Sequence, residues 1–433
     1  MEVLDIAMEL LRQAGTAALQ LLIQPFYYIA VLLIVLLYFR QTRMERKLFH
    51  VRLQVWPILL VRTLVSGLAA GIVVSLAAAF IGVMITPEAI YWIWGMAAIL
   101  VLFRVRFLCF AYSVGLLGIL QWLIGWFDLS GSGEWIKATA ESLASLDIPG
   151  LLLLVALMHA AESLLLRRQG SRIVSPMFLE GKRGRLVGGF QLQGYWPVPL
   201  LLLVPAHTDS AAAALLPWTP LFGGDIWAAG FTMIGLPMVI GFSEVTRSLL
   251  PGQQVKQTSK GLLFYSLLLI LIAGAAAWWP PLTLTAALCA LLLHEAMVWI
   301  SSRREAQSSP LYVHDDRGLR VLAVVPGTPA DELGIMAGEI LYKVNGHRVR
   351  TKEELYEALH ENSAFCKLEV LNHEGQIKFM QRARFAGEHH QLGVILAPDE
   401  RADYYAASKP ASLLDVVRRE RTVYQRDSSS FTQ

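Results

Sequence analysis

The chain has 433 residues, of which 55% are hydrophobic and only 16% are charged, whereas soluble proteins normally carry about 25% charged residues. Its formal net charge of +3 is too small to indicate a nucleic-acid-binding protein. Long apolar runs precede Arg303, and an ordinary mixture of polar and apolar residues follows it. We therefore expect a membrane protein that carries one soluble domain near its C-terminus.

Residues 1–16 are predicted to form an amphipathic helix, because apolar side chains recur there at helical spacing. The opening residues are acidic rather than basic, so no cleavable signal peptide is expected.

Nine apolar runs follow, and a spanning helix needs roughly 20 mostly apolar residues. The candidate spans are residues 17–39, 57–84, 88–103, 107–127, 149–166, 196–216, 227–245, 261–279 and 282–300. The third is short, and Pro205, Pro217 and Pro220 make the sixth kinked or re-entrant. The predicted fold of residues 17–302 is thus a polytopic α-helical membrane domain with eight or nine transmembrane helices.

The loop charges predict the orientation of these spans. Basic residues cluster in loops 40–56, 167–194 and 246–260, at Arg104 and Arg106, and again after the last span, whereas the intervening loops are mainly acidic. Since basic loops stay in the cytoplasm, the C-terminal domain is expected inside the cell. The side of the N-terminus depends on whether there are eight or nine spans and stays open.

The polar residues within the apolar runs are expected to have structural roles. His159, Glu162, His294 and Glu295 lie within about two turns of predicted helix ends, where pairing or snorkelling is commoner than a transport path. Gly67, Gly71 and Ser75 form a row of small residues that predicts close helix packing. The three widely separated cysteines indicate neither a disulfide framework nor a metal motif.

Residues 305–400 are predicted to form a small α+β domain. Strands are expected at 318–325, 339–344, 366–371, 376–384 and 391–396, with helices at 330–333 and 352–360. Asn345-Gly346 is a hairpin signal, and Thr351 with Glu354 forms a capping box. Residues 401–433 are predicted to be a polar tail with one short helix near 413–421.

Several short motifs of this domain resemble the signature of bacterial PDZ domains: Pro326-Gly327-Thr328-Pro329-Ala330, Gly334-Ile335, Gly338-Glu339-Ile340-Leu341 and Val344-Asn345-Gly346. PDZ domains bind an extended peptide as an added strand beside a helix. By this resemblance, the receiving strand would be Leu392, Gly393, Val394 and Ile395, and the helix would contribute Leu355, Tyr356 and Leu359. That strand comes last here, which leaves open whether free C-termini or internal peptides bind, or whether the strand only closes the sheet.

No catalytic constellation is recognised in the sequence. An intramembrane site-two protease needs two histidines four residues apart with a glutamate between them, but His294-Glu295 is followed by Val298 at the second histidine position. A HtrA-type nucleophile loop, a P-loop and a dinucleotide fingerprint are likewise not found. We therefore expect a non-enzymatic protein with no cofactor and no metal ligands.

The order of elements and the opening segment, with Phe26-Tyr27-Tyr28, Tyr38-Phe39-Arg40 and Arg46-Lys47, resemble the MinJ family of division-site topology proteins. This resemblance implies a membrane adaptor, enriched at septum and poles, that bridges a DivIVA-like coiled-coil protein and a MinD-like ATPase. Membrane lipid, other division proteins and a second copy in a homo-oligomer are further implied partners, and nucleic acid is not. The alternative is a PDZ-containing accessory protein of proteolysis or export.

Overall fold

The computed structural model describes residues 3–205, 216, 218–224, 227, 230–361, 365–383, 392–399, 402, 404–406 and 423–425. The helices of the N-terminal part are α1 (Val3–Ile23), α2 (Pro25–Phe49), α3 (Trp56–Ile81), α4 (Pro87–Phe103), α5 (Phe110–Ile124), α6 (Glu134–Ala144), α7 (Ile148–Gln169), α8 (Pro251–Trp278) and α9 (Thr283–Gln307). The same part contains the strands β1 (Val174–Glu180), β2 (Leu186–Pro205) and β3 (Phe231–Thr246).

Five of the described helices, α2, α3, α7, α8 and α9, are long and apolar enough to cross a membrane, and α4 and α5 are shorter apolar helices. The predicted total of eight or nine is not confirmed. The predicted first span, 17–39, is divided at Gln24 between α1 and α2 because Pro25 begins a new helix. Helix α7 lies at the centre, packed against α3, α5, α8 and α9.

The predicted helices at 196–216 and 227–245 are wrong wherever the structure describes them, since Leu186–Pro205 and Phe231–Thr246 form strands β2 and β3. These pair antiparallel over sixteen residues, from Phe190 opposite Thr246 to Pro205 opposite Phe231. Proline in a helix interior removes a hydrogen bond and clashes with the preceding turn, and Pro197, Pro199 and Pro237 all lie within this hairpin. The part of the prediction at 206–215 lies outside the described residues.

The row of small residues on α3 packs against strand β2 rather than against another helix. A Cβ atom on Gly67 would lie 2.1 Å from the carbonyl oxygen of Pro197, and one on Gly71 would lie 2.3 Å from that of Pro199. One turn further on, the Ser75 hydroxyl donates to the Gly71 carbonyl at 2.6 Å and accepts from the Leu201 N–H at 2.8 Å. The close approach is present, but the predicted helix partner is wrong: this row meets the edge of strand β2.

Proline suits this edge of β2 for a second reason. The carbonyls of Pro197 and Pro199 point at α3, and in a strand the N–H and C=O of one residue point to the same side. Two N–H donors that would face α3 are thus missing, and Ser75 accepts the next one. In hydrocarbon each unsatisfied donor would cost several kcal/mol.

Helix α1 covers the opposite edge of the hairpin, along β3. The side-chain amide of Gln24 donates to the Gly235 carbonyl at 3.0 Å, and that of Gln13 donates to the Phe231 carbonyl at 3.4 Å. A Cβ on Gly235 would lie 2.5 Å from the Ala17 carbonyl oxygen. The hairpin is thus enclosed between two helices.

The C-terminal part contains a β-rich domain whose elements agree closely with the predicted ones. These are β4 (Leu319–Val324), α10 (Pro329–Glu332), β5 (Ile340–Val344), β6 (His347–Arg348), α11 (Lys352–His360), β7 (Phe365–Leu371), β8 (Ile377–Ala383) and β9 (Val394–Leu396). Strands form the order β8-β7-β5-β4-β9, with β6 paired to β5. The hairpin at Asn345-Gly346 and the capping box at Thr351 and Glu354 are both present.

This domain is attached to the helical part on both sides. Before it, the Tyr312 carbonyl accepts from the Gly188 N–H of β2 at 2.8 Å, and the Tyr312 side chain is fully buried. After it, β10 (Tyr404–Ala406) joins β1 as a parallel strand, and β11 (Val423–Gln425) pairs with β10. The expected polar tail therefore contributes two strands to the first sheet, while its predicted helix near 413–421 lies outside the described residues.

Candidate peptide-binding groove

Strand β9 lies at one edge of the second sheet, and among the described residues it pairs only with β4. Its register sets Val321 opposite Leu396 and Val324 opposite Val394. The other edge of β9 therefore presents backbone N–H and C=O groups without a strand partner in the described part of the chain. Such an edge can receive an extended peptide as a further strand.

The loop that precedes β9 is held by the turn that opens the domain. The Leu392 carbonyl accepts from the Ala330 N–H at 2.9 Å, and the Gly393 carbonyl accepts from the Val325 N–H at 2.8 Å. In a trans peptide the N–H points opposite to the preceding carbonyl, so the N–H groups of Gly393 and Val394 point away from this turn. Two adjacent outward N–H groups are the arrangement that captures a terminal carboxylate.

Gly393 is required by this loop. Its φ is +83°, a region that residues with a Cβ rarely adopt. A Cβ here would also lie 2.2 Å from the Thr328 hydroxyl oxygen. Substitution of Gly393 would therefore disturb the loop itself, whatever the loop binds.

Helix α11 forms the facing wall, with two layers of side chains. Leu355 and Leu359 are buried in one cluster with Leu392 and Leu396, so they support the groove from below. Tyr356, on the same helix, is an aromatic side chain that is 46% exposed. Val394 is half-buried at the margin of the same cluster.

Ile395 lies apart from the other predicted groove residues. Successive side chains of a strand point to opposite faces, and Ile395 is buried among Tyr312, Leu322 and residues of the helical part. The structure thus places Leu355, Leu359, Leu392 and Val394 in one cluster, with Gly393 in the chain between the last two. Tyr356 lies exposed on α11, and Ile395 lies at the contact with the membrane domain.

Sequence reasoning missed one charged pair at the end of the groove. The Lys352 ammonium group lies 3.0 Å from the Asp399 carboxylate, which joins the start of α11 to the segment after β9. Lys352 precedes Tyr356 by four residues, and residues at that spacing share one helix face. The spacing could have placed Lys352 on the same helix face as Tyr356. It could not have identified Asp399, 47 residues further along the chain, as the partner of Lys352.

Sequence reasoning also missed a cluster in the membrane domain. Cys109, His159 and His294 each offer a ligand atom within 4.8 Å of the others. Glu295, which would be a catalytic base in a site-two protease, is instead engaged by Arg106 at 2.6 Å and by the Tyr112 hydroxyl at 2.8 Å. The pairing expected for an intramembrane carboxylate is present there.

Apolar helices, a small β-rich domain and an open strand edge define a membrane protein with a PDZ domain at its C-terminal side; a family model described as a PDZ domain matches residues 320–371. Over 404 residues the chain is 29% identical to the "Cell division topological determinant MinJ" of Bacillus subtilis (strain 168), covering 92% of this chain and 98% of that protein. It is 25% identical over 346 residues to the "Probable cell division topological determinant MinJ" of Lacticaseibacillus paracasei, covering 78% of this chain and 85% of that protein. The resemblance to MinJ-type division proteins is confirmed.

Proposed function

We propose that this protein is a non-enzymatic membrane adaptor in division-site selection. Similarity to proteins named as cell division topological determinants extends over 92% of the chain, so it includes the membrane domain as well as the PDZ domain. The observation that supports an adaptor most directly is the open edge of strand β9, since such an edge can receive an extended peptide as a further strand. The membrane domain would hold that groove at the bilayer surface.

We further propose that the groove faces the cytoplasm. Basic residues lie near the ends of α2, α7 and α9 that approach this domain, including Arg46, Arg167 and Arg304. Since cytoplasmic segments next to membrane spans are enriched in Lys and Arg, the charge pattern supports this orientation. A cytoplasmic groove would meet cytoplasmic division proteins.

The proposed partners are a DivIVA-like coiled-coil protein at poles and septa and a MinD-like ATPase at the membrane. The adaptor would join the two, so that the position of the coiled-coil protein determines where the ATPase accumulates. We assign the groove, formed by Leu355, Tyr356, Leu359, Leu392, Gly393 and Val394, to one of these protein contacts.

A fluorescent fusion of the full chain in dividing rod-shaped cells tests the proposal. We expect enrichment at septa and poles that depends on the coiled-coil protein, and co-purification of the MinD-like ATPase. Uniform membrane fluorescence would contradict the proposed role. Capture of protease or export subunits in place of the ATPase would favour the accessory-protein alternative.

The groove is tested by Tyr356→Ala in the full-length protein. Removal of a half-exposed aromatic side chain should leave the fold intact and weaken partner binding by roughly tenfold, the effect of about 1.4 kcal/mol. Phe379→Ala is the matched control, because Phe379 is an aromatic residue, 78% exposed, on β8 at the far edge of the same sheet. Equal binding by the two variants would show that partners use another surface.

A further inference from the structure

Three helices of the membrane domain bring one thiol and two imidazoles to a single point. Cys109 immediately precedes α5, His159 lies in α7 and His294 in α9. The Cys109 sulfur lies 3.3 Å from His159 Nε2 and 3.7 Å from His294 Nε2. The two imidazole rings are also neighbours, with their centroids 5.3 Å apart.

The other nitrogen of each imidazole is held by an acceptor in the protein. His159 Nδ1 lies 2.8 Å from the Val155 carbonyl oxygen, so Nδ1 carries the proton that this contact needs. His294 Nδ1 lies 3.2 Å from the Tyr112 hydroxyl, which donates its own proton to Glu295 at 2.8 Å. The hydroxyl oxygen is therefore an acceptor for His294 as well.

These contacts leave both Nε2 atoms without a proton, and the lone pair of each is directed at the same sulfur. A neutral thiol has a single proton and can donate it to one of the two nitrogens. The remaining nitrogen would face the sulfur with no proton between them, and neither ring is exposed, since His159 is buried and His294 is half-buried. Unpaired buried acceptors are costly, and a cation that accepts all three lone pairs removes this deficit.

The two separations between the sulfur and the nitrogens fit a tetrahedral metal ion. Zinc binds cysteine sulfur at about 2.3 Å and histidine nitrogen at about 2.0–2.1 Å, which separates sulfur from nitrogen by about 3.6 Å in a tetrahedron. The observed separations of 3.3 and 3.7 Å lie on either side of this value. Acceptors on the far nitrogens, as seen here, are also the usual outer shell of metal-binding histidines.

We propose that Cys109, His159 and His294 bind one Zn²⁺ ion through Sγ, Nε2 and Nε2. Thiolate and imidazole ligands select zinc over magnesium and calcium, and three protein ligands leave a fourth position for water or another donor. Because Cys109 immediately precedes α5 while His159 and His294 lie in α7 and α9, the ion fixes the start of α5 and α7 against α9. Helix α9 leads directly into the PDZ domain, so the ion also sets the direction in which that domain leaves the membrane.

Metal content of the purified full-length protein is the test. After removal of metal by a chelator and reconstitution with Zn²⁺, the wild type should retain stoichiometric zinc through gel filtration. Cys109→Ser, His159→Gln and His294→Gln should each lower zinc retention at least tenfold. Cys289→Ser and His314→Gln are the matched controls, because neither residue belongs to the cluster, and they should retain zinc as the wild type does.

Cobalt supplies a readout that is specific for the ligands. Co²⁺-loaded wild type should show the sulfur-to-cobalt charge-transfer band and the visible bands of tetrahedral cobalt, and Cys289→Ser should preserve both. Tyr112→Phe removes the acceptor for His294 Nδ1 and should weaken zinc binding by about 10- to 100-fold.

Three outcomes would overturn the assignment. One is that the wild-type protein retains neither zinc nor cobalt after reconstitution. Another is an unchanged zinc content and charge-transfer band in Cys109→Ser. The third is zinc retention in His159→Gln and His294→Gln that equals that of the wild type.

Discussion

At the scale of single residues, glycine and proline account for the least expected contacts of this molecule. Gly393 combines a φ of +83° with a van der Waals contact to Thr328 that leaves no room for a Cβ. Pro197 and Pro199 lack the N–H groups that would otherwise face α3. At Gly393 a side chain would collide with Thr328. At Pro197 and Pro199 a backbone N–H would face α3 without an acceptor.

Asp315, at the entrance to the PDZ domain, predicts a pH dependence of stability. Hydrogen bonds from Arg317 and then from Arg320 hold the pKa of the Asp315 carboxyl well below its usual range, although partial burial acts in the opposite direction. A lowered folded-state pKa contributes stability above the unfolded-state pKa, about 3.9 for Asp, and loses it as the pH falls further.

Asp315→Asn should therefore destabilise the PDZ domain at pH 7 by on the order of 1.5 kcal/mol, the low end for hydrogen bonds between charged groups because Arg317 is exposed. The difference from wild type should shrink as the pH is lowered below about 4. Hydrogen exchange of β4 and β5 in the full-length protein measures it. Asp316→Asn, at an exposed neighbour, should change little; a difference that is constant from pH 3 to pH 7 would contradict the ionic explanation.

At the scale of elements, the β2–β3 hairpin depends on the small residues of α3. Gly67→Ala would place a methyl group 2.1 Å from the Pro197 carbonyl oxygen, so the strand or the helix must move. We expect the free energy of unfolding to fall by about 1–3 kcal/mol, as at other overpacked sites. A lower midpoint of thermal unfolding in detergent would measure this change.

Gly95→Ala in α4 is the matched control for that prediction, because a Cβ there meets no atom within 4 Å. Alanine is also the better helix former of the two, so this variant should be neutral or slightly stabilised. Equal midpoints for the two variants would show that α3 and β2 do not meet as closely as described.

The soluble elements could be predicted well because their signals are local. Turn residues such as Asn345-Gly346 and the capping box at Thr351 fix ends of strands and helices within a few positions. The hairpin at 186–246 could not be recognised from hydropathy, since an apolar run has the same average in a strand and in a helix. The alternation of Pro197 and Pro199 was the one local sign of a strand edge.

The groove residues could likewise be predicted from local motifs, whereas the three residues of the metal cluster could not. The groove residues follow from the PDZ resemblance, whose motifs lie close together in the sequence of one domain. Cys109, His159 and His294 are separated by 50 and 135 residues, and only the packing of α5, α7 and α9 brings them together. No spacing along the chain carries that information.

At the scale of the whole molecule, the PDZ domain is docked on the membrane domain rather than tethered to it. Tyr312 is buried against Phe190, with the ring centroids 5.1 Å apart, and Ile395 of β9 lies at the same contact. Just before that contact, the Glu305 carboxylate at the end of α9 accepts from the backbone N–H groups of Arg247 and Ser248 at 2.5 and 3.1 Å, which fixes the end of the helix that leads to the PDZ domain. The groove should therefore keep a fixed orientation relative to the membrane.

Tyr312→Ala should release the PDZ domain without unfolding it. The loss of a fully buried aromatic side chain costs about 3–5 kcal/mol where its surroundings cannot collapse, and that cost falls on the docking contact. Limited proteolysis of the full-length protein should then cleave between residues 303 and 318 faster than in wild type. Tyr356→Ala, on the exposed side of the same domain, is the control; unchanged cleavage in Tyr312→Ala would indicate that other contacts hold the domain.

The enclosure of the hairpin between α1 and α3 has a consequence for biosynthesis. A pair of strands whose edges face lipid would leave backbone groups unsatisfied, so β2 and β3 cannot enter the bilayer alone. Both covering helices precede the hairpin in the chain and leave the ribosome first. Helices α1 and α3 are therefore available to cover the strand edges before the hairpin is synthesised. A chain rearranged to place α1 after β3 should insert poorly into the membrane, even though every final contact could still form.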